Sequence, residues 1–148
     1  MNLRPPVATN ATLGVMGGGQ LGRMFAHAAQ TLGYRVAVLD PDTGSPAGAV
    51  AEHHVIAAYL DGVGLADLAA RCAAVTTEFE NVPAQALRTL AAIRPVAPSA
   101  DAVQICQDRA AEKRHFQRSG VPCAPFATIE SAADLESPSL DTLLPGIL

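Results

Sequence analysis

Apolar residues alternate between two periods along most of the chain. Residues 11–16 form a short apolar run that stops at Gly17, as a buried strand does. Leu21, Met24, Phe25, Ala28 and Leu32 then recur at spacings of three and four, the signature of one helical face, and Gly33 suits the closing position. Residues 35–39 are β-rich again and end at Asp40-Pro41. Together these segments predict a strand–helix–strand unit of the usual length for a parallel pair with a crossover.

The alternation continues downstream. Residues 54–57 suit a third strand, Asp61 suits the cap of a helix over 62–71, and residues 73–77 suit a fourth strand. A helix over 83–93 opens with Pro83 in its first turn, and residues 95–97 offer a short fifth strand. Strands and helices alternate without a hairpin signal, so the predicted fold is α/β: a Rossmann-like domain whose parallel sheet is covered by helices on both faces. From Ser99 the pattern changes to helices over 101–106 and 108–119, the second closed by Gly120, then a strand over 124–129 and a surface loop over 136–139. Residues 144–148 begin a fresh apolar run and read as the start of a strand in a truncated chain. The expected organisation is a flexible arm over 1–11, the Rossmann-like domain over 12–98, and a helical linker opening a second, truncated region over 99–148.

Composition narrows the function classes. The 148 residues suffice for one hydrophobic core, and 49% hydrophobic content argues against disorder. A net charge of −4, from 10 Lys+Arg against 14 Asp+Glu, argues against nucleic-acid and anionic-membrane partners, which favour a basic face. There is no apolar run of membrane-spanning length and no apolar signal segment at the start, so a soluble cytoplasmic protein is expected. Cys72, Cys106 and Cys123 show no CxxC spacing and no companion histidine, as suits reduced thiols rather than metal ligands.

Four stretches carry candidate chemistry. Gly17-Gly18-Gly19-Gln20-Leu21-Gly22 satisfies G-x-G-x-x-G between a strand and a helix, the context that gives the motif meaning. The free N–H groups of such a helix start attract an anionic or oxygen-rich group, although a tight turn without a ligand has the same pattern. Asp40 follows the second strand, where dinucleotide enzymes place a ribose-binding acid, and equally where Asp40-Pro41-Asp42 suits a plain turn. Glu78, Glu80 and Asn81 follow the fourth strand and share the rim of the glycine turn. Strand alternation would point Glu78 and Glu80 the same way with Phe79 opposite, for hydroxyl or amine recognition, while Asn81 caps the next helix. On the helix from Asp108, Arg109 and Lys113 share a face that suits phosphates or, equally, solvent.

GGGQLGRM at 17–24, TEFENVP at 77–83, Pro98-Ser99 and QDRAAEK at 107–113 together resemble the N5-carboxyaminoimidazole ribonucleotide synthetases, ATP-grasp enzymes of purine biosynthesis. The resemblance spans residues 13–129 in order. It implies a pre-ATP-grasp domain followed by the beginning of an ATP-grasp domain. It also implies a reaction in which ATP and bicarbonate, with Mg2+, form carboxyphosphate and carboxylate 5-aminoimidazole ribonucleotide. By resemblance, Gly19, Gln20 and Leu21 border that substrate, Glu80 accepts from its ribose hydroxyls beside Asn81, and Arg109 contacts ATP. A homodimer is the family expectation. The family's ATP-grasp lysine, glycine-rich loop and magnesium carboxylates have no counterpart in these residues, so this chain by itself is expected to be inactive, with no catalytic and no metal-binding residue. Two competing readings are a non-catalytic nucleotide-binding or assembly module and an NAD-binding Rossmann domain.

Overall fold

The sheet is built around the strand that precedes the glycine turn. In the computed structural model, which describes residues 7–146, β1 (Thr12–Met16) lies between β2 (Arg35–Leu39) and β4 (Ala74–Thr77). β3 (His53–Val55) pairs with the outer side of β2, so the order is β3-β2-β1-β4 and every pairing is parallel. The chain therefore runs outward from β1 and then returns to its other side. In open parallel sheets that reversal creates a crevice beyond the carboxyl ends of the two central strands.

Both faces of the sheet are covered because successive side chains point to opposite sides. Met16, Ala37, Leu39 and Val75 face a core completed by Leu65 and Leu68 of α2 (Gly62–Arg71) and Leu87 and Leu90 of α3 (Ala84–Ala91). Val15, Val36 and Val38 face the other way, onto Ala26 and Ala29 of α1 (Gln20–Thr31) and Ala47. Small alanines let α1 approach the sheet closely, in keeping with a chain poor in aromatics. Local signals act as the sequence indicates. Asp61 accepts from the Gly64 N–H at 2.8 Å, and Gly33, at φ 84, closes α1.

Several expected elements differ. The fifth strand over 95–97 shrinks to one parallel bridge between Val75 and Val96, because Pro95 and Pro98 flank it and supply no donor. Residues 124–129 form no strand, since no other strand lies in that part of the described chain. The polar stretch after Ser131 winds into short 3-10 turns at Ala132–Glu136 and Pro138–Leu143. Of the arm expected over 1–11, residues 1–6 lie outside the described part. Its end is tied down, with the Asn10 N–H donating to Gly33 O at 3.0 Å. The strand start expected over 144–148 lies partly outside the described residues, and residues 144–146 are irregular.

Two compact units are present, one reaching to Gln107 and the other starting at Asp108. The sequence changes character at Ser99, but α4 (Ala100–Cys106) belongs to the first unit. It buries Ala100 and Val103, and Arg88 of α3 donates to Asp101 at 2.8 Å. The second unit contains α5 (Arg109–Arg118), which buries no residue, and the 3-10 turns.

Candidate functional site

The glycine turn after β1 meets the segment after β4 at the crevice. In register, Met16 lies beside Thr77, so the next residue of β4's strand line, Glu78, is delivered to the first glycine. Its carboxylate turns into the start of α1. Oε1 accepts from the Gly19 N–H at 2.7 Å, and Oε2 accepts from the Gly22 N–H. The anionic group at this helix start is thus part of the protein itself. A Cβ on Gly17, Gly19 or Gly22 would lie 2.5–2.8 Å from an atom of Glu78, so these glycines make room for that side chain.

Asp40 is consumed in the same way. Its Oδ2 accepts from the Gly18 N–H at 2.7 Å and from the Tyr59 hydroxyl at 2.7 Å, while Oδ1 accepts from the Asp42 N–H at 2.8 Å. The carboxylate is buried, which removes it as a ribose-binding acid and makes it the organiser of the turn. Burial, with the hydrogen bond to Asp40, pushes the Tyr59 phenol well above its ordinary range. The dinucleotide reading loses both of its supports: Gly18, Gly19 and Gly22 donate to Asp40 and Glu78, and Asp40 itself is taken up by the turn.

What remains open is narrower. The N–H groups of Gln20 and Leu21 have no protein acceptor among the described residues, and both residues are exposed. Glu80 is exposed and its carboxylate has no protein partner among the described residues. β4 ends at Thr77, so strand alternation does not extend to Glu80. Glu78 and Glu80 serve different ends, and Phe79 joins both in lining a shallow hollow of about 320 Å3 with Pro98, Val103 and Cys106. Asn81 does not cap α3. The cap position falls to Pro83, and no side chain bonds to the helix start. Sequence reasoning also missed Gln107 as a contact, although its Nε2 donates to the carbonyls of Glu80 at 2.7 Å and Val82 at 2.8 Å.

In the second unit Asp108 caps α5 by accepting from the Ala111 N–H at 2.9 Å, and Arg109 pairs with Glu112. Arg109 and Lys113 line one open hollow of about 1030 Å3 with Phe126, Thr128 and Leu144. The Lys113 ammonium sits 5.7 Å over the Phe126 ring, a cation–π distance. Among the described residues no group of three or more His, Cys, Asp or Glu side chains could hold a metal ion, and no helix is long and apolar enough to cross a membrane.

This geometry has relatives. A curated N5-carboxyaminoimidazole ribonucleotide synthase from Brucella melitensis is 44% identical over 125 residues, 84% of this chain and 34% of the relative. The solved N5-carboxyaminoimidazole synthetase of Staphylococcus aureus with ADP superposes at TM-score 0.80 with 37% identity, over 93% of this chain and 37% of that one. The Aspergillus clavatus enzyme, solved with ADP and 5-aminoimidazole ribonucleotide, superposes at TM-score 0.76 with 33% identity, over 92% and 37%. The chain thus spans about a third of the length of the relatives it matches. Residues 10–107 match the ribonucleotide synthetase preATP-grasp domain, with the glycine turn, the Glu78–Asn81 segment and Gln107 all inside the match. On that match the chain belongs to the ribonucleotide synthetase preATP-grasp family, in the company of the N5-carboxyaminoimidazole ribonucleotide synthases.

Proposed function

We propose that the chain is the amino-terminal part of an ATP-dependent ligase of purine biosynthesis. It would carboxylate the exocyclic amine of 5-aminoimidazole ribonucleotide with bicarbonate, by way of carboxyphosphate, to give N5-carboxyaminoimidazole ribonucleotide, ADP and phosphate. One observation carries the reading. An exposed carboxylate without a protein partner, Glu80, follows β4, and the unpaired N–H groups of Gln20 and Leu21 follow β1, its neighbour in the sheet. A carboxylate accepts and backbone N–H groups donate, a pairing suited to the hydroxyls and acceptor atoms of a ribonucleotide. The Aspergillus clavatus relative, solved with the same ribonucleotide, supports naming it as the ligand.

In this reading Glu80 accepts from the ribose hydroxyls, Gly19, Gln20 and Leu21 border the substrate, and Asn81 is a neighbour on the rim. Glu78 keeps the turn closed and touches no ligand. Arg109 and Lys113 supply positive charge for the ATP phosphates, and ATP supplies the phosphoryl group that activates bicarbonate. Mg2+ would neutralise the ATP phosphates, and no residue of this chain is assigned to it. None of the residues given a role here transfers a phosphoryl group. We expect the 148 residues by themselves to bind substrate without turning it over.

Calorimetric titration of 5-aminoimidazole ribonucleotide into the chain tests the binding half. Replacing Glu80 with alanine removes a charged hydrogen bond worth about 1.5–3 kcal/mol, a loss of about tenfold or more in affinity. Equal affinity of wild type and Glu80→Ala overturns the assignment. Bicarbonate-dependent ADP formation by the purified chain overturns the statement about turnover.

A further inference from the structure

Glu80 sits between the end of β4 at Thr77 and the start of α3 at Ala84, in a segment without regular structure. Nothing in the described protein holds its carboxylate, so the backbone sets only the point from which that side chain reaches out. The backbone is gripped at a few places. Glu78 is fixed to Gly19 and Gly22, and the Thr77 hydroxyl donates to Phe79 O at 2.9 Å. Both grips precede Glu80. The grip on Glu80 itself comes from Gln107, whose Nε2 donates to Glu80 O at 2.7 Å and to Val82 O at 2.8 Å. Val82 is fully buried, so the bridge ties the exposed acid to a fixed point of the core.

The residue type suits the task. A primary amide has two N–H bonds on one nitrogen, and here each meets one of two carbonyls two residues apart. Glutamate has the same shape but offers only acceptors, and alanine offers nothing. The amide is delivered by a docked helix. Gln107 ends α4, which is anchored through buried Ala100 and Val103, and its own N–H donates to Val103 O at 3.1 Å.

We propose that Gln107 is a positioning residue for Glu80: by bridging the Glu80 and Val82 carbonyls it aims the carboxylate at the ribose hydroxyls of the ligand. The proposal rests on the ribonucleotide reading above. It is tested by calorimetry with two ligands, 5-aminoimidazole ribonucleotide and its analogue lacking both ribose hydroxyls, on wild type, Gln107→Ala, Gln107→Glu and Glu80→Ala. Both Gln107 variants are expected to lose about tenfold in affinity for the ribonucleotide and to bind the analogue within about twofold of wild type. Loss for both ligands alike would mean a general structural role and overturn the proposal, as would unchanged binding of the ribonucleotide while Glu80→Ala weakens it. No effect of Glu80→Ala means instead that the ribonucleotide reading has failed, and the role of Gln107 falls with it. The wild-type protein gives an arm that does not depend on the variants folding. The Gln107 side-chain amide resonance should shift on adding the ribonucleotide and stay in place on adding the analogue, and no shift with the ribonucleotide overturns the assignment.

Discussion

Glu78 and Gly22 lie 56 positions apart in sequence, yet the carboxylate of one accepts the N–H of the other at the opening of α1. A second N–H, that of Gly19, meets the same carboxylate at 2.7 Å. Helix starts leave N–H groups without intrahelical partners and favour negative charge, and here the need is met by a side chain from the neighbouring strand. The glycine motif is best understood as packing for that carboxylate.

Alanine substitutions should separate Gly19 from Gly22. A Cβ at Gly19 would lie 2.7 Å from Glu78 Oε1, so Gly19→Ala is expected to displace the carboxylate and cost about 1.5–3 kcal/mol. With Glu78→Ala already made, the obstacle is gone, so the double mutant should fall short of the sum of the singles by at least about 0.5 kcal/mol. At Gly22 the new Cβ would also meet the Gly17 carbonyl oxygen at 2.8 Å, which trimming Glu78 does not relieve. Urea unfolding of the singles and doubles checks both statements. Full additivity at Gly19 would contradict them.

The same carboxylates predict what the turn refuses. A dinucleotide pyrophosphate at the start of α1 would have to displace Glu78 and lie near Asp40, both of which already hold the N–H groups of the turn. Like charges about 4 Å apart repel by about 4 kcal/mol at the effective dielectric of a protein surface. NADH fluorescence should stay unchanged on titration with the chain into the millimolar range. A saturable enhancement would restore the dinucleotide reading.

Much of this fold is legible locally. The three-and-four spacing gives the helix α1 but the wrong face of it, since Leu21, Met24 and Ala28 are exposed while Gly22, Ala26 and Ala29 meet the sheet. The acid at Asp61 caps α2, and the strand–helix alternation, broken between β2 and β3, gives a sheet covered on both faces. The site is legible only in part. Glycines, acids and amides announce themselves by type, but the use of Glu78 depends on β4 lying beside β1, a pairing between segments about sixty residues apart. A usable signal existed: an acid placed immediately after a strand that neighbours a glycine-ended strand. Asn81 suits a cap by type, but α3 begins only at Ala84 with Pro83 in the cap position, which leaves Asn81 outside the helix. Gln107 gave no local sign at all, since both of its partners are backbone carbonyls around 25 residues away.

Tyr59 and Asp40 carry a pH-dependent contribution. Burial and the Asp40 bond raise the phenol's pKa in the folded state. The unfolded value is about 10, so the contribution is fully present below that pH and is lost as pH rises above it. Tyr59→Phe removes a bond to a charged acceptor at a half-exposed position, so a cost of about 1.5 kcal/mol is expected at pH 7. Urea unfolding should show the difference between wild type and Tyr59→Phe shrinking from pH 9 to pH 11. A constant difference would mean that the Tyr59 proton is not held by the folded state.

Cys72 provides the last check, on the core beneath the same strands. It is buried where a side chain on Gly14 would meet its sulfur at 3.0 Å, and it lines the core with Leu68 and Val75. Burial pushes its thiol from 9.0 up to about 11, against the opposing pull of the Arg94 and Arg71 cations. The folded state therefore keeps this proton after the unfolded chain, at its ordinary value of 9.0, has released it. The resulting stability is intact below about pH 9 and fades as pH rises from there through about 11. At pH 8 a thiol reagent should modify exposed Cys106 within the mixing period and leave Cys72 untouched until the domain opens. Denaturant at its midpoint should then bring Cys72 up to the rate of Cys106. If Cys72 reacts as fast as Cys106 in the native protein, β1 and β4 are not packed over it as described, and the delivery of Glu78 to the glycine turn loses its foundation.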